Sequence, residues 1–256
     1  MQSITRSAKP VALVTGANQG IGLQIAKDLV AHGFAVLVGS RSLERGEAAA
    51  AQLGDDAHVL QLDVTDASSI DAAARRIRRE FGRLDVLVQN AAIMTTQEHP
   101  GTVVEYAQVT RASVVPLDEM RAVFDTNVFG VMAVYQAMLP LLRETPGARI
   151  VNVSSGSGSL TVSSDPNLPY RSQFSPVYSA SKTALNALTL AMAIELEDEG
   201  IPVNAVSPGF TSTAMNKYEG TDTVEQGASE AVRVVLLGKD APTGTFTHAT
   251  FGTIPW

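Results

Sequence analysis

The sequence predicts an α/β fold in which parallel strands form one sheet with helices over both faces. Short continuous apolar runs alternate with longer segments of helical period along the chain. Glycines or small polar residues follow those runs one after another, where open parallel sheets gather their ligand sites. The 256 residues, 45% hydrophobic and 18% charged, suffice for one large core and fit neither a disordered nor a fibrous chain.

Residues 1–9 read as a polar tail and 10–256 as a single domain. The first strand, 10–15, runs into Gly16-Ala-Asn18-Gln19-Gly20-Ile21-Gly22, and a helix follows with Ile21, Ile25, Leu29 and Val30 on one face. Strand, glycine turn and helix N-terminus together suit a dinucleotide: glycine lets a pyrophosphate approach, and the helix offers free N–H groups. The second strand, 34–39, ends in Ser40 and Arg41, with no acid before Glu44. A carboxylate there would bind a ribose diol. A guanidinium favours a 2′-phosphate, so the expected cofactor is NADP(H) ahead of NAD(H). A helix at 43–53 and a strand at 57–62 follow. At that strand's end Asp63, beside Val64, serves either an adenine amino group or as the cap of the helix at 67–81. That helix carries Arg75, Arg76, Arg78 and Arg79 without interleaved aromatics, which marks a solvated face.

The fourth strand, 84–89, leads into Asn90-Ala91-Ala92-Ile93, then a stretch of mixed polarity containing Pro100 and Gly101. Residues 117–143 have helical period. Asn127 sits mid-helix, where an amide needs a partner, and Pro140 implies a kink or an early end. The fifth strand, 149–153, precedes Ser154-Ser155-Gly156-Ser157-Gly158. After a turn-rich stretch with Pro166 and Pro169, a helix is expected over about 175–199, capped by Ser175 with Pro176 in its first turn. The sixth strand, 202–206, ends in Ser207-Pro208-Gly209. A mobile segment at 210–223, a helix at 224–237 and a last strand at 244–251 complete the chain. Right-handed crossovers bring Gly16, Ser40, Asp63, Asn90, Ser155 and Pro208 to one edge of the sheet.

On the 175–199 helix, Tyr178 and Lys182 stand four apart and so share a face. The lysine charge is expected to lower the phenol pKa from about 10 and make Tyr178 a better acid–base group. Other chemistries find no residues. The net charge is 19 − 26 = −7, against general nucleic-acid or anionic-membrane binding. Without cysteine there is no thiolate or Cys-metal site, and His32, His58, His99 and His248 lack metal-like spacing. No run reaches the roughly 20 apolar residues of a membrane helix, and residues 1–9 lack the apolar core of a secretion signal, so a cytoplasmic protein is expected. Gly-x-Ser-x-Gly, the hydrolase turn, is absent.

Taken together, Thr15-Gly16-x3-Gly20-x-Gly22, Asp63, Asn90-Ala91, Asn127, Ser155, Tyr178-x3-Lys182 and Pro208-Gly209 resemble the short-chain dehydrogenase/reductase family over nearly the whole chain. The resemblance implies a Rossmann-like three-layer α/β/α fold with a seven-stranded parallel sheet. It implies that Tyr178 protonates a carbonyl oxygen as hydride arrives, that Lys182 lowers the phenol pKa and bonds the nicotinamide ribose, that Ser155 bonds the substrate oxygen, and that Asn127 holds a water linking Lys182 to solvent. It extends the cofactor contacts over the glycine turn with Asn18, Gln19 and Ile21, over Ser40, Arg41, Asp63, Val64, Asn90, Ala91 and Ala92, and over Pro208, Gly209, Thr211 and Thr213.

Some positions depart from the family pattern. Ala92 replaces a glycine, and Gln19 stands where many NADP-preferring members carry Lys or Arg. Tyr178 follows Ser155 by 23 residues (178 − 155), against about a dozen in most members. That extra stretch, about 163–175, resembles an insertion of the carbonyl-reductase branch, as do Glu225-Gln-Gly-Ala228 and the ending Pro255-Trp256. In that branch the insertion can cover a dimer face; here it is shorter, which leaves monomer and homo-oligomer open. The expected substrate is a small apolar ketone or aldehyde, or the matching secondary alcohol, with Met94, Leu160, Phe210, Met215 and Tyr218 as candidate walls. The alternatives are an NAD(H)-preferring alcohol dehydrogenase and a non-catalytic dinucleotide sensor or scaffold.

Overall fold

The structure, a computed structural model, describes residues 7–96 and 102–256. His99, Pro100 and Gly101 lie outside the described residues, as does most of the polar tail.

Among the described residues, eight strands form one sheet: β1 (Val11–Val14), β2 (Ala35–Ser40), β3 (Ala57–Gln61), β4 (Val86–Gln89), β5 (Arg149–Val153), β6 (Val203–Ser207), β7 (Phe246–His248) and β8 (Gly252–Thr253). Their order is β3-β2-β1-β4-β5-β6-β7-β8. All neighbours from β3 to β7 are parallel, and β8 pairs with β7 antiparallel. The expected seven-stranded parallel sheet is thus a mostly parallel sheet of eight. Its expected last strand is broken by a tight turn. His248 Nδ1 accepts the N–H groups of Thr250 (3.0 Å) and Phe251 (3.3 Å), and Gly252 takes a positive φ of 66°, which reverses the chain.

The helices are α1 (Gly20–Ala31), α2 (Leu43–Leu53), α3 (Ala67–Glu80), α4 (Val103–Val109), α5 (Leu117–Phe124), α6 (Gly130–Arg143), α7 (Leu160–Ser164), α8 (Tyr178–Leu196) and α9 (Val224–Leu236). Side chains alternate across each strand. Val11 and Leu13 of β1 pack with α3, α6 and α8, while Ala12 and Val14 pack with α1, α2 and α9. Both faces being covered, the strands had to be continuous apolar runs. Each fully buried side chain, such as Leu13 or Ile25, contributes about 1.5–3 kcal/mol.

The helix expected at 117–143 is present. It is interrupted at Asp125–Phe129 by a π-helical turn centred on Asn127. Pro140 does not end it, because the helix runs on to Arg143 and the carbonyl one turn back belongs to exposed Gln136, within reach of water. By length and composition these 27 residues could cross a membrane, contrary to the sequence expectation, and half of the most apolar window is buried in the fold.

Helix α8 starts at Tyr178, later than expected, and Ser175 is not its cap. Ser175 Oγ accepts the Val177 N–H (3.1 Å), and the Ser175 N–H donates to Ser179 Oγ (3.1 Å), so these bonds close the turn before the helix and leave Pro176 outside it. The segment expected to be mobile, 210–223, is closed on itself. Phe210 O accepts the N–H groups of Thr221 (2.8 Å) and Asp222 (3.0 Å), and Ser212 N–H donates to Asp222 O (2.8 Å).

Candidate active site

The winding of the sheet reverses between β1 and β4, a switch point of the kind whose carboxyl-end side takes ligands in open α/β sheets. The glycine turn lies on that side. Gly16 and Gly20 have positive φ (64° and 57°). A Cβ on Gly16 would lie 2.9 Å from Ala91 Cα, and one on Gly22 would lie 2.4 Å from Asn90 Nδ2. Asn90 ties the two strand ends together: its Nδ2 donates to Thr15 O (3.0 Å) and Gly16 O (3.2 Å). Thr15 Oγ1 in turn accepts the N–H groups of Asn90 and Ala91, both at 3.0 Å. Gln19 occupies the N-cap of α1 without a side-chain capping bond, so the first N–H groups of the helix stay available. Asn18 and Ile21 flank it half-buried, as does Ala92 beyond Ala91. A backbone cradle that admits no side chain, facing an uncapped helix N-terminus, fits a dinucleotide pyrophosphate.

At the end of β2 the Ser40 hydroxyl is buried and donates to Ser42 O (2.8 Å). The neighbouring Arg41 guanidinium is exposed and has no partner among the described residues. Beyond β3, Asp63 Oδ1 accepts from the Thr65 N–H (2.9 Å) and hydroxyl (2.7 Å). The cap of α3 is Asp66, not Asp63: Asp66 accepts the Ser68 N–H at 2.8 Å. Val64 lies against the start of α6, where a Cβ on Gly130 would come within 2.8 Å of Val64 O.

Past β5, a 3-10 turn at Gly156–Gly158 sits against α8. A Cβ on Gly158 would lie 2.8 Å from the Lys182 carbonyl carbon, so glycine lets the turn bring Ser155 beside Tyr178. Ser155 Oγ lies 3.0 Å from Ser157 Oγ. Lys182 is buried and donates from Nζ to Val153 O (2.9 Å), with Nζ 5.7 Å from the centre of the Tyr178 ring.

The expected lowering of the phenol pKa by Lys182 does not appear. Burial pushes Tyr178 up to about 12, only partly opposed by a hydrogen bond to Ser155. The same burial brings Lys182 down to about 8. Each side chain is pushed toward its neutral form because neither charge is hydrated. At pH 7 the phenol holds its proton and Lys182 is still mostly an ammonium.

Asn127 is fully buried in its π-turn. Its Nδ2 donates to Ile93 O (2.8 Å) and Ser181 Oγ (3.0 Å), and its Oδ1 accepts the Ile93 N–H (2.9 Å). The amide makes no direct bond to Lys182; one Oδ1 lone pair remains for a further donor.

At the end of β6, Gly209 turns with φ 76°, and the methyl of Thr213 approaches the glycine turn, 3.6 Å from a Cβ built on Gly20. Pro208 O accepts the Thr211 hydroxyl at 2.8 Å. Thr211 is buried and pressed against α9, where any Cβ on Gly227 would collide with its side chain. Of the expected walls, Met94 is buried, while Leu160, Phe210, Met215 and Tyr218 are exposed.

Sequence reasoning missed Tyr106 and Glu119. Tyr106 lies on α4, unforeseen although Thr102 and Glu105 form a capping box at its start. Burial pushes its phenol pKa up, with Glu119 and Tyr178 adding to the rise.

The family model for short chain dehydrogenases matches residues 10–224. A short-chain dehydrogenase, anuI, of Penicillium roqueforti is 36% identical over 239 residues, covering 90% of each chain. The structure of salutaridine reductase from Papaver somniferum superposes with a TM-score of 0.78 at 28% identity, over 93% of this chain and 99% of that one. A 3-ketoacyl-(acyl-carrier-protein) reductase from Brucella melitensis, complexed with NADH, gives 0.76 at 26%, over 94% and 96%. The chain belongs to the short-chain dehydrogenase/reductase family and is an NAD(P)-dependent oxidoreductase.

Proposed function

We propose that this single-domain enzyme reduces a small apolar ketone or aldehyde with NADP(H), or oxidises the matching secondary alcohol. The observation that carries the reading is a neutral, half-buried phenol at Tyr178, flanked by the Ser155 hydroxyl and by the buried Lys182 ammonium. When bound, the nicotinamide supplies the hydride. Tyr178 and Ser155 both donate to the carbonyl oxygen, where negative charge develops, and Tyr178 gives it a proton. Lys182, fixed by Val153 O, stabilises the phenolate left behind, and Asn127 holds the Ser181 and Ile93 groups around it. Arg41, exposed and without a partner among the described residues, favours a 2′-phosphate. The exposed apolar side chains of Leu160, Phe210, Met215 and Tyr218 suit an apolar substrate. An NADH-dependent reading has one support, the NADH bound by the Brucella reductase. The test is a panel of ketones and aldehydes run with NADPH and NADH side by side. Turnover with NADPH is expected, and consumption of neither cofactor across the panel sinks the proposal.

A further inference from the structure

The four residues after Asn90-Ala91-Ala92 are held in an unusual way. Each of Ile93, Met94, Thr95 and Thr96 is hydrogen-bonded by a buried side chain, and those side chains come from three different helical segments. Asn127 takes both backbone groups of Ile93. The Tyr106 hydroxyl donates to Met94 O at 2.5 Å. Glu119 accepts the Thr95 hydroxyl (2.5 Å), the Thr96 N–H (2.9 Å) and the Thr96 hydroxyl.

Glu119 is the odd member. It stands third in α5, where a glutamate commonly bonds back to its own N-cap N–H. Here the N-cap is Pro116, which has no N–H, and the carboxylate reaches across to another loop. Only 4% of Glu119 is exposed, and burial works against its charge. The bonds from Thr95 and Thr96 outweigh that and hold the carboxyl below its usual range. A buried carboxylate kept ionised by three donors is a costly way to fix a loop unless the loop's position matters. The loop lies beside the reacting groups: Asn127 also bonds Ser181, next to Lys182, and Tyr106 is near enough to Tyr178 that ionising one phenol would oppose ionising the other.

We infer that Glu119 is a positioning residue whose carboxylate sets Thr95 and Thr96, and so the wall against which a carbonyl substrate must lie to present its oxygen to Tyr178. This rests on the reductase reading above. Glu119→Gln keeps the shape but offers a single acceptor where three donors converge. Thr96→Val removes one of those donors from the other side and protects the test if the first variant folds poorly. Amide hydrogen exchange of the unliganded full chain is expected to speed up at Thr96 by about tenfold in Glu119→Gln, with the β1 and β4 amides unchanged. For a ketone that the unaltered chain reduces, KM is expected to rise about tenfold while kcat and the cofactor Kd stay within about threefold. Thr96→Val is expected to do the same more weakly, and the double variant to do no more than Glu119→Gln alone. Unchanged KM in both variants, unchanged exchange at Thr96, or kcat and cofactor affinity collapsing along with KM each overturn the inference. An unaltered chain that reduces no carbonyl sinks the reductase reading instead; an active one with unaffected variants sinks the inference alone.

Discussion

Around β1 and β4 the ligand edge is made of backbone, whereas around β5 and β6 it is made of side chains. In the first region the chain segments touch through Gly16, Gly22 and Ala91, and the Asn90 amide is consumed in tying them together. In the second, Ser155, Tyr178 and Lys182 converge, and apolar side chains stand exposed beyond them. A region built by excluding side chains tolerates no addition. A region built from side chains changes its chemistry with each substitution while its frame persists. Binding should therefore fail in one place and turnover in the other.

The sharpest test is Tyr178→Phe. Turnover is expected to fall by at least about a hundredfold with the cofactor Kd unchanged, read by steady-state kinetics beside a fluorescence titration. Comparable turnover would remove Tyr178 from the proton step. Gly22→Ala is the counterpart. Its Cβ would lie 2.4 Å from Asn90 Nδ2 and 2.6 Å from Gly16 O, so cofactor Kd is expected to rise about tenfold or more. A loss confined to kcat would erase the distinction between the regions. Arg41→Asp is expected to move the NADPH-to-NADH ratio of kcat/KM toward NADH by about tenfold, and an unmoved ratio removes Arg41 from cofactor choice.

The smallest effect is on stability. The folded pKa of Lys182, about 8, lies below its ordinary 10.5. Between those values the unfolded chain binds more protons, so the buried lysine depresses stability at neutral pH and the penalty fades as pH rises through that window. Lys182→Met removes the penalty, of order 3 kcal/mol, and leaves Val153 O unpaired at about 1–2 kcal/mol. A net gain of about 1–2 kcal/mol is expected at pH 7, vanishing by about pH 10, as read from Tm across that range.

The same contrast separates what the sequence reveals from what it hides. Strand positions were legible because the central strands β1, β2 and β4 are buried on both faces and so are largely apolar. The glycine turn was legible because only glycine meets its backbone demands. Tyr178 and Lys182 could be placed on one helix face, yet the direction of the phenol's pKa could not be read, since burial depends on what packs over the pair. Thr211 shows the same blindness: nothing in its local sequence shows how closely Gly227 of α9 approaches it. Glu119 carried no local signal at all, because its partners lie 23 and 24 residues earlier in the chain.

Lys182 is buried, its backbone against the turn at Gly156–Gly158 and its Nζ on Val153 O, while Lys9, Lys27, Lys217 and Lys239 all face solvent. An amine-seeking reagent must wait for α8 to lift from β5 before it can acylate this one side chain. Its rate of labelling is therefore a built-in clock for how often the reacting centre breathes open.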